Sequence, residues 1–256
     1  MTTILEARDV NKSVAIGENE EHRILKDINL QLKKGEFVSI MGPSGSGKST
    51  LLYNISGMDQ ISTGSVFFNG KQISAFPEKE LASLRLTKMG FIFQNIHLLK
   101  NLNLLDNIIL SAYLAKKSNR VTINNRAMSL MKKMGIDELA EHNITQASGG
   151  QLQRIAICRA LINNPDILFG DEPTGALNSK STHEIMDILG DINAAVGTTI
   201  LLVTHDVKVA ARSERVLFMM DGQLVADKRI GKYVKEREDL KSRESQLGQW
   251  LVSMGF

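Results

Sequence analysis

Short apolar runs separated by turn residues fill the first part of the chain, and this pattern predicts strands. The first three predicted strands are followed by a helix over 49–55 and by a strand that ends in an Asn69-Gly70 turn. A turn at 33–36 separates the second strand from the third. The three predicted strands cover residues 4–10, 24–32 and 37–41.

The pattern changes between residues 96 and 161, where apolar side chains recur at helical spacing. Ala127, Leu130, Met131 and Met134 form such a stripe before Gly135. Downstream of Pro165 the pattern again predicts strands joined by a helix. The predicted elements are strands over 167–172 and 199–203, a helix over 179–195 and a hairpin over 218–225.

The tail after Gly231 is charged and has a helical pattern. Its apolar residues recur every seven positions and then continue as a stripe. The residues of the stripe are Tyr233, Leu240, Leu247, Trp250, Leu251 and Met254. We expect this helix to dock on its own domain. Contact with a membrane surface or a partner is the alternative, because the only tryptophan lies on the stripe.

Composition narrows the class of protein. The chain has 256 residues, 43% hydrophobic and 23% charged, which is typical of a soluble globular protein. The apolar runs are shorter than a membrane span, and the N-terminus has no secretory pattern. Cys158 is the only cysteine and reads as a core thiol, which suits a reducing compartment. A net charge of +3 gives no reason to expect nucleic acid.

A glycine-rich segment follows the strand over 37–41 and precedes the helix over 49–55, and it matches the P-loop pattern G-x-x-x-x-G-K-[ST]. Glycines let backbone N–H groups wrap around phosphate. Lys48 is expected to reach the β- and γ-phosphates, and Ser49 to ligate Mg²⁺. The predicted nucleotide-binding residues here are Gly42, Pro43, Ser44, Gly45, Ser46, Gly47, Lys48, Ser49 and Thr50.

Two further sites carry chemistry. Asp171 and Glu172 end a predicted buried strand, where one carboxylate can hold Mg²⁺ through water and the other can polarise an attacking water. A second glycine loop, Ser148-Gly149-Gly150-Gln151, precedes a helical run. One nucleotide needs one cradle, so the extra loop predicts a site completed by another copy of the chain.

These motifs together resemble the ATP-binding cassette (ABC) ATPases along nearly the whole chain. Residues 171–177, from Asp171 through Ala176 to Leu177, are similar to the Walker B motif and D-loop, and Ser148-Gly149-Gly150-Gln151 to the signature motif. Gln94 is similar to the Q-loop glutamine, and His205 to the switch histidine. The order and spacing of these motifs match the family.

The resemblance implies roles for these residues. Glu172, His205 and Gln94 would be catalytic, and Ser49, Gln94 and Asp171 would serve Mg²⁺. ATP on one P-loop would be covered in trans by the partner's signature motif in a head-to-tail homodimer. The residues that would contact that ATP are Ser148, Gly149, Gly150 and Gln151.

The implied fold is α/β, a P-loop NTPase (ABC ATPase) core with a small antiparallel β subdomain and an inserted helical subdomain. We predict one domain over 1–256. Residues 1–95 and 162–230 would form the nucleotide-binding core, 96–161 the helical subdomain with the signature motif, and 231–256 a helical tail.

The residues resemble one branch of the family, which includes macrolide exporters, lipoprotein-release ATPases and bacitracin-resistance cassettes. Resemblance to this branch implies a cytoplasmic ATPase on the inner face of the membrane and an integral membrane permease as its partner. In some systems it also implies an extracytoplasmic adaptor. The alternative is a cassette of the cell-division type, which controls cell-wall hydrolases without transporting a solute.

Three positions depart from the family pattern. Ala147 replaces the usual leucine ahead of the signature motif, and we expect it to affect packing rather than phosphate contact. Asn178 replaces the aspartate that usually ends the D-loop. Val14 stands where the family often stacks an aromatic ring on adenine, which predicts weaker or less base-selective binding.

Overall fold

The computed structural model describes residues 2–17, 20–175, 177–235 and 239–256. Ala176 of the predicted D-loop and residues 236–238 of the predicted tail therefore lie outside the described residues.

A six-stranded sheet forms the centre of the molecule. Its strands are β3 (Phe37–Met41), β6 (Met89–Ile92), β7 (Ile167–Asp171), β8 (Thr199–Val203), β9 (Arg215–Met220) and β10 (Gln223–Arg229). The order is β10-β9-β3-β8-β7-β6, with parallel neighbours throughout except for the β9–β10 hairpin. Every residue of β3, β7 and β8 is buried, as expected for parallel strands covered on both faces.

A second, antiparallel sheet packs on the first and has the order β2-β1-β4-β5. Its strands are β1 (Thr3–Ile16), β2 (Glu20–Lys33), β4 (Thr63–Phe68) and β5 (Lys71–Gln72). The β1–β2 hairpin is longer than the sequence predicted. Register shifts between Ala7 and Ser13 interrupt the apolar alternation there, so the outer half of the ribbon carries no strand pattern.

The helices flank the central sheet. They are α1 (Lys48–Ile55), α2 (Glu78–Lys88), α3 (Leu104–Ala115), α4 (Arg120–Lys133), α5 (Gly149–Leu161), α6 (Ser179–Val196), α7 (Val207–Ala210) and α8 (Leu240–Ser253). Side chains of α3, α4 and α5 share one core cluster, which includes Ile108, Ala127 and Ile155. Among the described residues, no helix has the length and hydropathy needed to cross a bilayer.

The tail docks on its own domain, as the sequence predicted. Leu247 and Leu251 are buried beside Phe218, and the Trp250 ring meets Phe218 edge-on at 6.1 Å between centroids. Arg243 is buried and donates to four backbone carbonyls, those of Ala211, Ser213, Ile230 and Gly231.

The helix of the tail starts at Leu240, later than the seven-residue pattern from Tyr233 indicated. The Tyr233 ring instead faces the guanidinium groups of Arg212 and Arg243 at 5.6 and 5.8 Å. Because Arg243 binds the carbonyls of Ile230 and Gly231, it fixes this segment ahead of the helix.

Candidate active site

Three neighbouring parallel strands deliver the predicted site residues to one edge of the central sheet. The P-loop (residues 42–50) follows β3, Asp171 ends β7, and His205 lies two residues after β8. Since β3 pairs with β8 and β8 with β7, the carboxyl ends of these strands are adjacent. Ligands of open α/β sheets bind at this edge.

The backbone of the P-loop is held tightly. Gly42 has φ +152°, and a Cβ built on it would lie 2.0 Å from the Met219 carbonyl oxygen, so no other residue fits there. Gly222 in the β9–β10 turn donates its N–H to the carbonyl oxygen of Ser46 at 3.1 Å. The loop is thus built against the neighbouring hairpin.

Lys48 lies over the loop and donates through Nζ to the carbonyl oxygens of Gly42 at 2.9 Å and Pro43 at 2.8 Å. Burial lowers the pKa of its ammonium group, while Glu172 and Asp171 oppose that shift. The buried Ser46 Oγ has no hydrogen-bond partner within the described residues. A loop with a half-buried cation and an unpaired hydroxyl suits a phosphate group.

Asp171 is held by two hydroxyl groups of α1. Ser49 Oγ donates to its Oδ1 at 2.8 Å, and Tyr53 OH donates to its Oδ2 at 2.6 Å. Tyr53 belongs to none of the sequence motifs, although its position one helical turn after Ser49 is the signal that places both hydroxyls on one face. Ser49 and Asp171 supply oxygen donors of the kind Mg²⁺ prefers beside phosphates, so these residues fit that ion.

Glu172 and His205 are joined directly. His205 Nδ1 lies 2.8 Å from Glu172 Oε1. Glu172 has φ +47°, a left-handed conformation that is uncommon outside glycine and is concentrated at functional sites. Its N–H donates to the Val203 carbonyl oxygen at 2.9 Å, which extends the β7–β8 ladder by one bond and fixes the carboxylate beside His205.

Gln94, two residues after β6, lies at the same edge. A Cβ built on Gly175 would be 3.3 Å from Gln94 Nε2 and 3.6 Å from Glu172 Cβ. The side chain of Gln94 therefore lies beside the turn that follows Glu172. Gln94, Asp171, Glu172, His205 and the P-loop form one constellation.

The predicted signature motif, residues 148–151, stands apart from that constellation. Ser148 caps α5: its Oγ accepts from the Gln151 N–H at 3.3 Å, and Gln151 Oε1 accepts from the Ser148 N–H at 2.8 Å. Ser148 and Gly149 are exposed. Within the described residues, no hydrogen bond joins this loop to the P-loop, Asp171, Glu172 or His205.

The three off-pattern positions have defined surroundings. Ala147 is half-buried and packs against the helical core cluster. Asn178 caps α6, its side-chain oxygen accepting from the Ser181 N–H at 2.9 Å. Val14 is 38% exposed on β1, opposite His22.

Cys158 is buried in the core, where burial raises the pKa of its thiol to about 12.

Comparison with protein-family models matches residues 25–175 to the ABC transporter family. The macrolide export ATP-binding/permease protein MacB of Hahella chejuensis is 42% identical over 227 residues. A probable syringafactin export ATP-binding/permease protein of Pseudomonas syringae is 43% identical over 225 residues. Each match covers 88% of this chain but 34% of the relative, so the chain spans about a third of these proteins.

Solved structures show the same likeness. The dimeric ATP-binding cassette MJ0796 in a post-hydrolysis state, bound to ADP and Pi, is 37% identical and superposes with a TM-score of 0.84. That match covers 90% of this chain and all of the other. The predicted fold class, the ATPase assignment and the resemblance to macrolide exporters are confirmed. The chain belongs to the ABC transporter family, as an ATP-binding, ATP-hydrolysing cassette.

Proposed function

We propose that this chain powers a bacterial membrane transporter of the export type by binding and hydrolysing ATP between two of its copies. The observation that carries the proposal is the cluster of two hydrogen-bonded pairs, Ser49–Asp171 and Glu172–His205, beside the P-loop. Phosphoryl transfer needs positioning and electrostatic stabilisation above all, and this cluster supplies groups for both.

Residues 42–50 hold the phosphates of ATP in this proposal. The P-loop N–H groups and the N-terminus of α1 face negative charge, and Lys48 leaves the carbonyls of Gly42 and Pro43 to bind the β- and γ-phosphates. Ser49 and Asp171 would hold Mg²⁺ together with Gln94, and the bound ion would neutralise charge on the phosphate oxygens.

Glu172 orients the attacking water and accepts its proton. His205 binds the γ-phosphate and stabilises the charge that develops during transfer. The 2.8 Å contact between the two side chains supports these two roles. The imidazole of His205 holds the Glu172 carboxylate at the edge of the sheet where the γ-phosphate would lie. The left-handed backbone at Glu172 supports it too, since it turns the side chain out of the strand.

Residues 148–151 act in trans. Ser148 and the N–H groups of Gly149 and Gly150 would contact the γ-phosphate held by the second copy, with Gln151 beside them. Their exposure at the N-terminus of α5, away from the chain's own P-loop partners, supports this role. The dimeric state of the cassette MJ0796 supports the head-to-tail arrangement. Asn178, which caps α6, would contribute hydrogen bonding but no charge to the interface.

The adenine pocket is expected to be weak. Val14 offers apolar contact where an aromatic ring would stack, so the phosphates supply most of the affinity. We therefore expect a smaller preference for adenine over other bases than an aromatic residue would give.

The partner is an integral membrane permease, and the cassette lies on the inner face of the membrane. The matched relatives are named as ATP-binding/permease proteins, which supports a permease partner for this chain. Exposed apolar side chains in residues 96–161 support contact with a partner there: Leu99 is 51% exposed, Leu114 61% and Val121 68%. The cargo class is antimicrobial peptides, antibiotics or lipoproteins, with an extracytoplasmic adaptor in some assemblies.

Glu172→Gln tests the catalytic assignment. Loss of the general base is expected to reduce turnover by about 10²–10⁴-fold, measured as phosphate release at saturating ATP. Glu138→Gln is the matched control, because Glu138 is exposed in the helical region and far along the chain from the cluster. Unchanged turnover in Glu172→Gln would contradict the assignment.

A further inference from the structure

Tyr53 makes a contact with Asp171 that has no part in the proposed binding and hydrolysis of ATP. It lies on α1, one turn after Ser49, and its hydroxyl donates to Asp171 Oδ2 at 2.6 Å. Ser49 occupies the other carboxylate oxygen, Oδ1, at 2.8 Å. Asp171 is 8% exposed, so these two hydroxyls replace most of the water around its carboxylate.

The tyrosine is the donor in this contact, because an ionised carboxylate can only accept. A short hydrogen bond to a carboxylate is stronger than one between neutral groups. Rotation of the carboxylate away from Ser49 would break the bond between Tyr53 and Oδ2.

We propose that Tyr53 is a positioning residue that keeps Asp171 Oδ1 directed at Ser49 and so sets the chain's affinity for the divalent cation that accompanies the nucleotide. The inference rests on the proposed function in one respect, that Ser49 and Asp171 hold the cation. Groups that orient a metal ligand in this way typically change metal affinity or activity by about 10–100-fold when removed.

Tyr53 also has a structural role that must be separated from this one. Its ring packs against the core cluster of the two sheets, and its carbonyl oxygen accepts from the N–H groups of Met58 and Asp59. Tyr53→Phe keeps the ring and the backbone and removes the hydroxyl alone. Tyr113→Phe is the matched control, because it removes a hydroxyl that donates to Asn124 Oδ1 at 2.7 Å in the helical region.

The test measures binding of Mn²⁺ to the protein–ADP complex by electron paramagnetic resonance, and of ADP with and without Mg²⁺. Mn²⁺ is a suitable probe because it shares the preference of Mg²⁺ for oxygen ligands. Tyr53→Phe is expected to raise the Mn²⁺ dissociation constant about tenfold. ADP affinity in chelator should stay within about twofold, because Tyr53 makes no hydrogen bond to the P-loop and Tyr53→Phe leaves the Lys48 and P-loop contacts in place. Tyr113→Phe should change neither value.

Asp171→Asn separates failure of this inference from failure of the proposed function. If Asp171→Asn weakens Mn²⁺ binding and Tyr53→Phe does not, the role of Tyr53 is wrong and the cation role of Asp171 stands. If neither variant weakens it, the proposed cation site itself is wrong. Equal loss of ADP affinity with and without cation in Tyr53→Phe, or lower thermal stability with unchanged Mn²⁺ binding, would show a structural role alone.

Discussion

The two glycine loops that face phosphate in this proposal, the P-loop and residues 148–151, differ in how the chain itself uses them. The P-loop is enclosed: a Cβ on Gly42 would lie 2.0 Å from a neighbouring carbonyl oxygen, and Lys48 is held by two carbonyls. In the signature loop a Cβ on Gly149 would meet nothing within 4 Å, and one on Gly150 would meet only the Ser181 side chain, at 3.2 Å from its Oγ. Gly42 is therefore fixed by neighbouring backbone, whereas the side-chain hydrogen bonds of Ser148 and Gln151 lie within the first turn of α5.

That difference supports the proposed division of the site between two copies. The P-loop has Asp171, Glu172 and His205 beside it at the carboxyl edge of the central sheet. Residues 148–151 carry helix N–H groups of the right kind but lie apart from that cluster. A second copy would bring the two halves together.

Lys48→Ala and Ser148→Arg should separate binding from hydrolysis. Loss of a hydrogen bond to a charged group costs about 1.5–3 kcal/mol, so Lys48→Ala should weaken ATP binding by about 10–100-fold. Ser148→Arg should leave ATP affinity within about twofold and reduce hydrolysis by at least about a hundredfold. The larger side chain would keep the signature loop of one copy from contacting the γ-phosphate bound by the other copy. Nucleotide titration and phosphate release measure the two quantities.

Ser129→Arg is the control for the added charge, because Ser129 is an exposed serine on α4 of the same helical region. It should retain both binding and turnover. If Ser148→Arg weakens ATP binding as strongly as Lys48→Ala does, the signature loop belongs to the same chain's site and the division is wrong.

Alanine at the two glycines should change the free energy of unfolding by very different amounts. Gly42→Ala forces a Cβ onto backbone at a positive φ and should lower the free energy of unfolding by about 3 kcal/mol. Gly149 is the first residue of α5 with open space around it, so Gly149→Ala should change that free energy by less than about 1 kcal/mol. Urea unfolding compares the two, and equal destabilisation would mean that the signature loop is also enclosed.

Much of the architecture could be predicted from the sequence because each motif sits beside a local pattern that fixes its element. The P-loop follows a buried strand and precedes a helix, and Asp171 ends another strand, so the shared edge followed from parallel packing. Long-range contacts could not be predicted. Helical spacing places Tyr53 on the face of Ser49, but it does not show that the hydroxyl reaches Asp171, 118 positions later. Likewise, no local pattern shows that Arg243 binds the carbonyl of Ile230 after β10.

The β1–β2 ribbon and the start of α8 were mispredicted for a related reason. Exposed residues of the ribbon need no alternation of apolar and polar side chains. The register shifts in β1 interrupt any alternation that the sequence does have. Tyr233 fits a helical stripe by spacing, yet its ring faces two arginines ahead of the helix. In both regions tertiary contacts override the local pattern.

Sedimentation velocity of Glu172→Gln, with and without Ser148→Arg, tests the divided site most directly. With ATP, Glu172→Gln should sediment at twice the 28.3 kDa mass of one chain, because ATP is held between two copies and is not hydrolysed. The double variant should bind ATP and remain a monomer. A Glu172→Gln protein that stays monomeric at saturating ATP, or a double variant that dimerises equally well, would contradict the account.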